Sequence, residues 1–116
     1  SGQQLPVDHT FQAMPSVMFD AVLVPGGASS AQALARSGDA VHFLLEAYRH
    51  CKPVCVIGEG VELLRTLGLG PGSAPAPGVI VGTNEPAQRV QMAQDFIVAM
   101  ARHRHWGRAN LEAVPA

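Results

Sequence analysis

Charge is scarce in this sequence, and the charge that is present nearly balances. Only 15% of the 116 residues are Asp, Glu, Lys or Arg, and the formal net charge is −1. A chain so close to neutral has no electrostatic footprint for nucleic acid or an anionic lipid surface. No apolar run approaches the ~20 residues that a membrane-spanning helix needs. We therefore expect neither a nucleic-acid partner nor a membrane.

Cysteine is equally scarce, with Cys51 and Cys55 as the two thiols. They are too few for a disulfide framework. In an extended chain, at about 3.3 Å per residue, their Cα atoms would lie roughly 13 Å apart, too far to bridge. We expect a reducing, cytoplasmic setting. Cys55 lies in an apolar run and Cys51 at a predicted helix C-terminus, and both positions oppose a thiolate, so we expect structural rather than nucleophilic thiols.

Three short apolar runs alternate with two-sided segments. The expected strands are 19–24, 54–57 and 79–81, and the expected helices are 29–37, 39–50, 59–67 and one that begins near Asn84. This alternation predicts an α/β domain with a parallel sheet and helices on its faces. Three strands are few for a doubly wound sheet. We therefore expect residues 1–116 to be a single partial domain that begins mid-domain and lacks a strand–helix–strand unit, with an extended tail at 106–116.

Local patterns add detail to this outline. The first strand, a short apolar run bounded by turn residues, is expected to be buried on both faces. Helical spacing predicts the core face of helix 39–50 as Val41, Leu44, Leu45 and Tyr48. The same spacing predicts the core stripe of the last helix as Val90, Ala93, Ile97 and Met100, with Phe96 beside it. The expected helix caps are Ser29 or Ser30, Asp39 and Asn84. A short strand is expected near 4–7 or 9–11, and a flexible connection at 68–78.

The segment Ile57-Gly58-Glu59-Gly60 follows the second strand and opens a helix. In hydrolytic α/β domains, such a sharp turn holds a strained nucleophile clear of the sheet. Here that position is Gly58, which has no side chain, so we expect a degenerate elbow and no catalytic residue. Glu59 is expected to be an ordinary anion near the helix N-terminus, and Gly60 to give room for close approach of helix and strand.

Two further groups of residues are candidate sites. The loop after the first strand carries Gly26 and Gly27, whose backbone N–H groups could point at an anion. It has neither the Gly-Lys-Ser/Thr ending of a phosphate loop nor a GxGxxG spacing, so a structural turn is favoured. His103 and His105 would diverge on a helix, and no Cys/His spacing with His50 supports zinc. We expect no metal site.

The strand and turn Phe19-Asp20-Ala21-Val22-Leu23-Val24-Pro25-Gly26-Gly27 resemble the ThiJ/PfpI superfamily, a flavodoxin-like fold related to class I glutamine amidotransferases. That resemblance implies a three-layer α/β/α architecture with a parallel sheet. In the superfamily the later strand ends in a cysteine elbow, and this cysteine maps onto Gly58. Gly26 and Gly27 then correspond to a vestigial oxyanion loop, and protease, deglycase and amidotransferase activities are not expected.

A closer resemblance, to the C-terminal domain of large-subunit monofunctional haem catalases, covers nearly the whole chain. It rests on the order and spacing of several short segments, which are Leu5-Pro6-Val7, Gly38-Asp39-Ala40, Glu46-Ala47-Tyr48-Arg49-His50, Lys52-Pro53 and 100–108. The family's haem, its tyrosine ligand and its distal histidine belong to the catalase core. Tyr48 lacks the Arg-x-Phe-x-Tyr setting of that ligand, so the resemblance implies no cofactor in this domain.

The resemblance thus implies a non-catalytic accessory domain of an enzyme that disproportionates hydrogen peroxide to water and oxygen. Its expected partners are the rest of the catalase chain and its oligomer, a homotetramer, and its expected role is in oligomer stability, folding or substrate access. Trp106 and Arg108 are the interface candidates, since tryptophan favours partly buried contact sites. Two alternatives stay open: a free-standing ThiJ/PfpI-type cysteine enzyme or redox chaperone, and a small-anion-binding module.

Overall fold

The computed structural model describes residues 3–69, 76–109 and 111–114. Strands and helices alternate along it as the sequence predicts. The strands are β1 (Val22–Val24), β2 (Val54–Ile57) and β3 (Val79–Gly82). The helices are α1 (Ala28–Arg36), α2 (Gly38–Arg49), α3 (Gly60–Thr66) and α4 (Pro86–Ala101). The α/β class is confirmed, and the three parallel strands with their helices form a partial flavodoxin-like fold.

The strands run in the order β1-β2-β3, with Val22 beside Val54 and Val54 beside Val79. The central strand β2 is almost entirely buried, because it is covered on both edges and both faces. The expectation that the first strand is buried on both faces is wrong. β1 spans only three residues, and Leu23 is 48% exposed, because β1 lies at the edge of the sheet.

The main core lies on the other face of the sheet. There Val24, Val54 and Val56 pack with leucines of α2 and α3 in one apolar cluster. The predicted core face of α2 is confirmed, since Leu44, Leu45 and Tyr48 are buried in this cluster and Val41 packs against it.

Helix α4 packs against β3, but not through the predicted stripe. Met92 and Phe96 are half-buried and Ala99 is buried, whereas Val90 and Ile97 are 66% and 60% exposed. The prediction of Val90, Ala93, Ile97 and Met100 as a core stripe is therefore wrong. The physical reason is Gly82 at the end of β3, where a Cβ atom would overlap the Met92 side chain. The space left by this glycine admits Met92 and sets the rotation of α4.

The helix caps also differ from the predictions. Helix α1 begins after Gly27 with no side-chain cap, and α2 begins after Ser37, whose hydroxyl accepts a hydrogen bond from the Ala40 N–H at 3.3 Å. Helix α4 follows Glu85 rather than being capped by Asn84. Asn84 fails as a cap because its side chain turns toward Glu59, the Nδ2–Oε2 distance being 3.3 Å.

The two ends of the chain fold onto the domain. No strand forms at 4–7 or 9–11; among the described residues this segment is irregular and leads into a 3₁₀ turn, Ser16–Met18. Phe11 and Phe19 instead pack against Phe43 of α2, with ring centroids 5.2 and 5.9 Å away. The tail forms a 3₁₀ turn at Leu111–Ala113 and places Val114 in the core cluster. Most of the flexible connection expected at 68–78, namely 70–75, lies outside the described residues.

No helix in the described part of the chain has both the length and the apolar character needed to cross a membrane.

Candidate functional site

Three loops meet at the carboxyl edge of the sheet, the edge where ligands bind in open α/β folds. They are the loop after β1 with Gly26 and Gly27, the turn after β2 with Gly58 and Glu59, and the loop after β3 with Asn84. The structure therefore brings the sequence-predicted elbow and the predicted anion loop together. Asn84 joins them at the same edge.

The Asn84 side chain fills the place where a nucleophile would project. A Cβ atom on Gly58 would lie 2.6 Å from Asn84 Nδ2, and a Cβ atom on Gly26 would lie 2.6 Å from Asn84 Oδ1. The Gly58 backbone is left-handed, with φ 52°, and its N–H donates to the Gly82 carbonyl at 2.9 Å. Both glycines thus make room for one amide, which occupies the position where a nucleophile would project.

The anion position of the glycine loop is taken by a carboxylate of the chain itself. Glu59 Oε2 accepts a hydrogen bond from the Gly27 N–H at 2.9 Å and one from Asn84 Nδ2 at 3.3 Å. The Gly27 N–H lowers the pKa of Glu59, helped by its own backbone N–H and by Asn84. These contacts link all three loops, so we call Gly27, Glu59 and Asn84 the elbow clamp.

Gly60 opens α3 directly under β1. A Cβ atom there would lie 3.3 Å from Val24 Cγ1 and 3.4 Å from the Val24 carbonyl oxygen. A side chain at this position would require Val24 to shift by a few tenths of an ångström, so its absence lets α3 approach the strand closely.

Both cysteine side chains are buried in the domain. Cys55 lies in the centre of β2 with no exposed surface, and burial raises the pKa of its thiol to about 11. Cys51 is 1% exposed and has a left-handed backbone, φ 62°, just after α2. Since the thiolate is the reactive form of cysteine, the raised pKa of Cys55 lowers its reactivity, and burial shields the Cys51 side chain from reagents.

The two interface candidates have different surroundings. Arg108 is buried, and its guanidinium donates to the backbone carbonyls of Pro77, Tyr48 and Lys52 at 2.8, 2.7 and 2.6 Å. Burial lowers its pKa. Arg108 therefore ties the tail to the last turn of α2 and to the segments just before β2 and β3. Trp106 is 75% exposed, and its role as an interface residue stays a prediction.

The residues of this chain do not fit a haem. A catalase haem takes a tyrosine as its axial ligand, and Tyr48, the one tyrosine in the sequence, is buried in the core cluster. The guanidinium carbon of Arg108 sits 4.5 Å from the centre of its ring. Within the described ranges no three His, Cys, Asp or Glu side chains are grouped to hold a metal ion.

Fold and site together define a flavodoxin-like α/β domain whose nucleophile elbow is occupied by its own side chains. Residues 1–110 match the model of a family described as the C-terminal domain found in long catalases. The chain belongs to this family.

Individual relatives agree with this assignment. A catalase HPII of Mycobacterium avium is 42% identical over 123 residues, covering 100% of this chain and 17% of that protein. A catalase HPII of Pseudomonas aeruginosa is 42% identical over 117 residues, covering 100% of this chain and 15% of that protein. Catalase-2 of Bacillus subtilis is 36% identical over 108 residues, covering 93% of this chain and 15% of that protein. The chain thus spans about one-sixth of the length of these relatives.

Proposed function

We propose that this chain is a non-catalytic accessory domain of a large haem catalase, whose parent enzyme disproportionates hydrogen peroxide to water and oxygen. One observation carries the proposal: the position of the missing nucleophile is filled by the Asn84 amide, 2.6 Å from where a Gly58 Cβ atom would be. The haem and all redox chemistry then belong to the catalase core, as the names of the relatives and their much greater length suggest.

The two alternative functions each meet an opposing observation. A cysteine enzyme or redox chaperone needs an accessible thiolate, and burial raises the pKa of Cys55 to about 11 while Cys51 is also buried. A small-anion-binding module needs free N–H donors, and the Gly27 N–H already donates to Glu59. An incoming anion would also meet the negative charge of this carboxylate.

We propose that the domain works by packing against the rest of the catalase polypeptide and so supports its oligomer, which we expect to be a homotetramer. The edge strand β1, Val-Leu-Val, has none of the charges or prolines that protect an exposed edge. An apolar groove of about 340 Å³ runs along it, lined by Phe11, Phe19 and Phe43 among others. Parallel sheets are normally covered on both faces, which supports a neighbouring segment of the parent chain at this edge. A reducing, cytoplasmic setting is part of the proposal because both thiols are free.

Thiol labelling tests the non-catalytic assignment. The folded chain is treated with iodoacetamide near neutral pH, and alkylation is followed by mass spectrometry. We expect both cysteines to react slowly and to become reactive only when the chain is unfolded in urea. Rapid labelling of one thiol in the folded state, together with turnover of a small metabolite that is lost on Cys51→Ser or Cys55→Ser, would overturn the proposal in favour of a cysteine enzyme.

A further inference from the structure

A cavity of about 250 Å³ opens at the amino edge of the sheet, the edge opposite the elbow clamp. Its lining residues are Asp20, Lys52, Met100, His103 and Arg104. Asp20 and Lys52 come shortly before β1 and β2, and the other three lie at or just after the C-terminal end of α4. The cavity is larger than the roughly 30 Å³ that one water molecule occupies in the liquid. It therefore has room for a small solute, and four of its five side chains are polar or charged.

Lys52 is a buried cation without a charged partner. It is 2% exposed, and its Nζ donates to the Ser16 and Phe19 carbonyls at 2.8 and 2.5 Å. No carboxylate among the described residues forms an ion pair with it. Because a lysine ammonium has three N–H donors, the two carbonyls leave one donor without an acceptor in the described part of the chain. Buried charges are normally paired, and the cavity beside Lys52 can hold the partner that it lacks.

Positive charge exceeds negative charge around the cavity. Arg104 is a second fixed cation, and the Nη1 atom of its guanidinium donates to the His50 carbonyl at 2.7 Å. Burial lowers the pKa of Lys52, and the charge of Arg104 lowers it further. The carboxylates of Asp20 and Glu46 act in the opposite direction without outweighing these two effects. A negative ligand between the two cations would relieve their repulsion.

The cavity offers three donor side chains and one acceptor. Lys52, Arg104 and the exposed His103 can donate, whereas an ionised Asp20 can only accept. Lysine and arginine are both common ligands of phosphate, and arginine can bind two of its oxygens at once. An oxyanion that keeps a hydroxyl group suits this combination, because its bare oxygens accept from the cations while its O–H donates to Asp20. Inorganic phosphate near neutral pH keeps at least one such hydroxyl group, and sulfate keeps none.

We propose that this cavity binds inorganic hydrogen phosphate, with Lys52 and Arg104 holding its bare oxygens and Asp20 accepting from its hydroxyl group. The carboxylate selects phosphate over sulfate, since sulfate would meet Asp20 with like charge and without a hydrogen bond. The site is separate from the loop after β1, where the Gly27 N–H already donates to Glu59. It uses only residues of this chain, so it does not depend on the proposed accessory function.

The test titrates the full-length parent protein with inorganic phosphate and, separately, with sulfate, by calorimetry in a buffer that contains neither ion. The variants are Arg104→Gln, which removes one cation, and Asp20→Asn, which removes the acceptor. Arg102→Gln is the matched control, because Arg102 is exposed and is not among the residues that line the cavity. Lys52 is left unchanged, since its bonds to the Ser16 and Phe19 carbonyls also support the fold.

We expect phosphate to bind once per chain, and sulfate to bind at least about tenfold more weakly because it loses a hydrogen bond to a charged group. Arg104→Gln should weaken phosphate binding at least about tenfold for the same reason, whereas Arg102→Gln should change it less than about twofold. Asp20→Asn should abolish the preference for phosphate over sulfate, which a structural role for Asp20 would not do.

Three results would overturn the proposal. The first is no heat from phosphate with the unsubstituted protein, which would mean that the cavity holds water or an acidic side chain of the parent chain. The second is equal phosphate affinity in all variants, which would indicate an adventitious ion only. The third is equal affinity for phosphate and sulfate. None of these readouts depends on peroxide turnover or on oligomer stability, so the proposal can fail while the accessory function stands.

Discussion

Substituting Gly58 by alanine tests the elbow clamp. The left-handed backbone at φ 52° costs an alanine about 1–2 kcal/mol. The new Cβ atom would lie 2.6 Å from Asn84 Nδ2, so the amide must swing away and lose its hydrogen bond to Glu59. Because Asn84 is exposed, this loss is worth about 0.5–1 kcal/mol, the low end for a hydrogen bond. We therefore expect Gly58→Ala to reduce the free energy of unfolding by about 1.5–3 kcal/mol.

A double-mutant cycle separates the two contributions. Asn84→Ala removes only the hydrogen bond, and in Gly58→Ala/Asn84→Ala that bond is already absent. The double variant should therefore be no less stable than Gly58→Ala alone. Gly38→Ala is the matched control, because a Cβ atom there meets nothing within 4 Å and alanine favours a helix. Stability is measured by urea unfolding followed by circular dichroism. Fully additive losses, or a Gly58→Ala variant as stable as the parent sequence, would refute the reasoning.

Three other changes probe the tail, the end of α4 and the clamp. Arg108→Met should lower the free energy of unfolding by about 3–5 kcal/mol, because it leaves three carbonyls without their donor. The control Arg102→Met changes an exposed side chain and should alter the free energy of unfolding by under about 0.5 kcal/mol. Similar losses for the two variants in urea unfolding would contradict this reasoning. His103 has a left-handed backbone, with φ 67°, and glycine adopts this conformation more readily than histidine. His103→Gly should therefore raise the melting temperature, whereas Arg102→Gly should lower it because glycine is unfavourable in a helix. Glu59 has a lowered pKa in the folded chain. Its contribution to the free energy of unfolding is therefore complete above the ordinary glutamate pKa of about 4.3, and that contribution is lost as the pH falls through the folded pKa. The stability advantage over Glu59→Gln should therefore vanish in acid and persist near neutral pH.

The alternation of strands and helices could be predicted from sequence because each buried strand is a short apolar run between turn residues. Strand β2 was found with its correct bounds for this reason. The orientation of α4 could not be predicted, since Val90-Ala93-Ile97-Met100 and Met92-Phe96-Ala99 both have helical spacing. The choice between them depends on Gly82, whose missing side chain admits Met92. Such a contact joins residues on different elements and leaves no periodic signal.

The sequence predicts a sharp turn at Gly58, but it does not predict that the Asn84 side chain lies beside it. An asparagine just before a helix has the pattern of a cap, so Asn84 was assigned to α4. The competing partner, the Glu59 carboxylate, lies 25 residues away in the chain. Only the pairing of three parallel strands brings the two side chains together. The three backbone carbonyls that Arg108 contacts likewise come from distant segments and cannot be anticipated from its sequence neighbours, while its role at an interface stays a prediction.

We propose that the occupied elbow stabilises this domain and takes no part in the chemistry of the parent catalase. The most direct measurement compares Asn84→Ala with the parent sequence in the full-length haem-loaded enzyme, recording peroxide turnover per haem and the thermal unfolding midpoint together. We predict an unchanged turnover per haem with a lowered midpoint. Lost turnover with an unchanged midpoint would contradict the claim and place the elbow in the reaction.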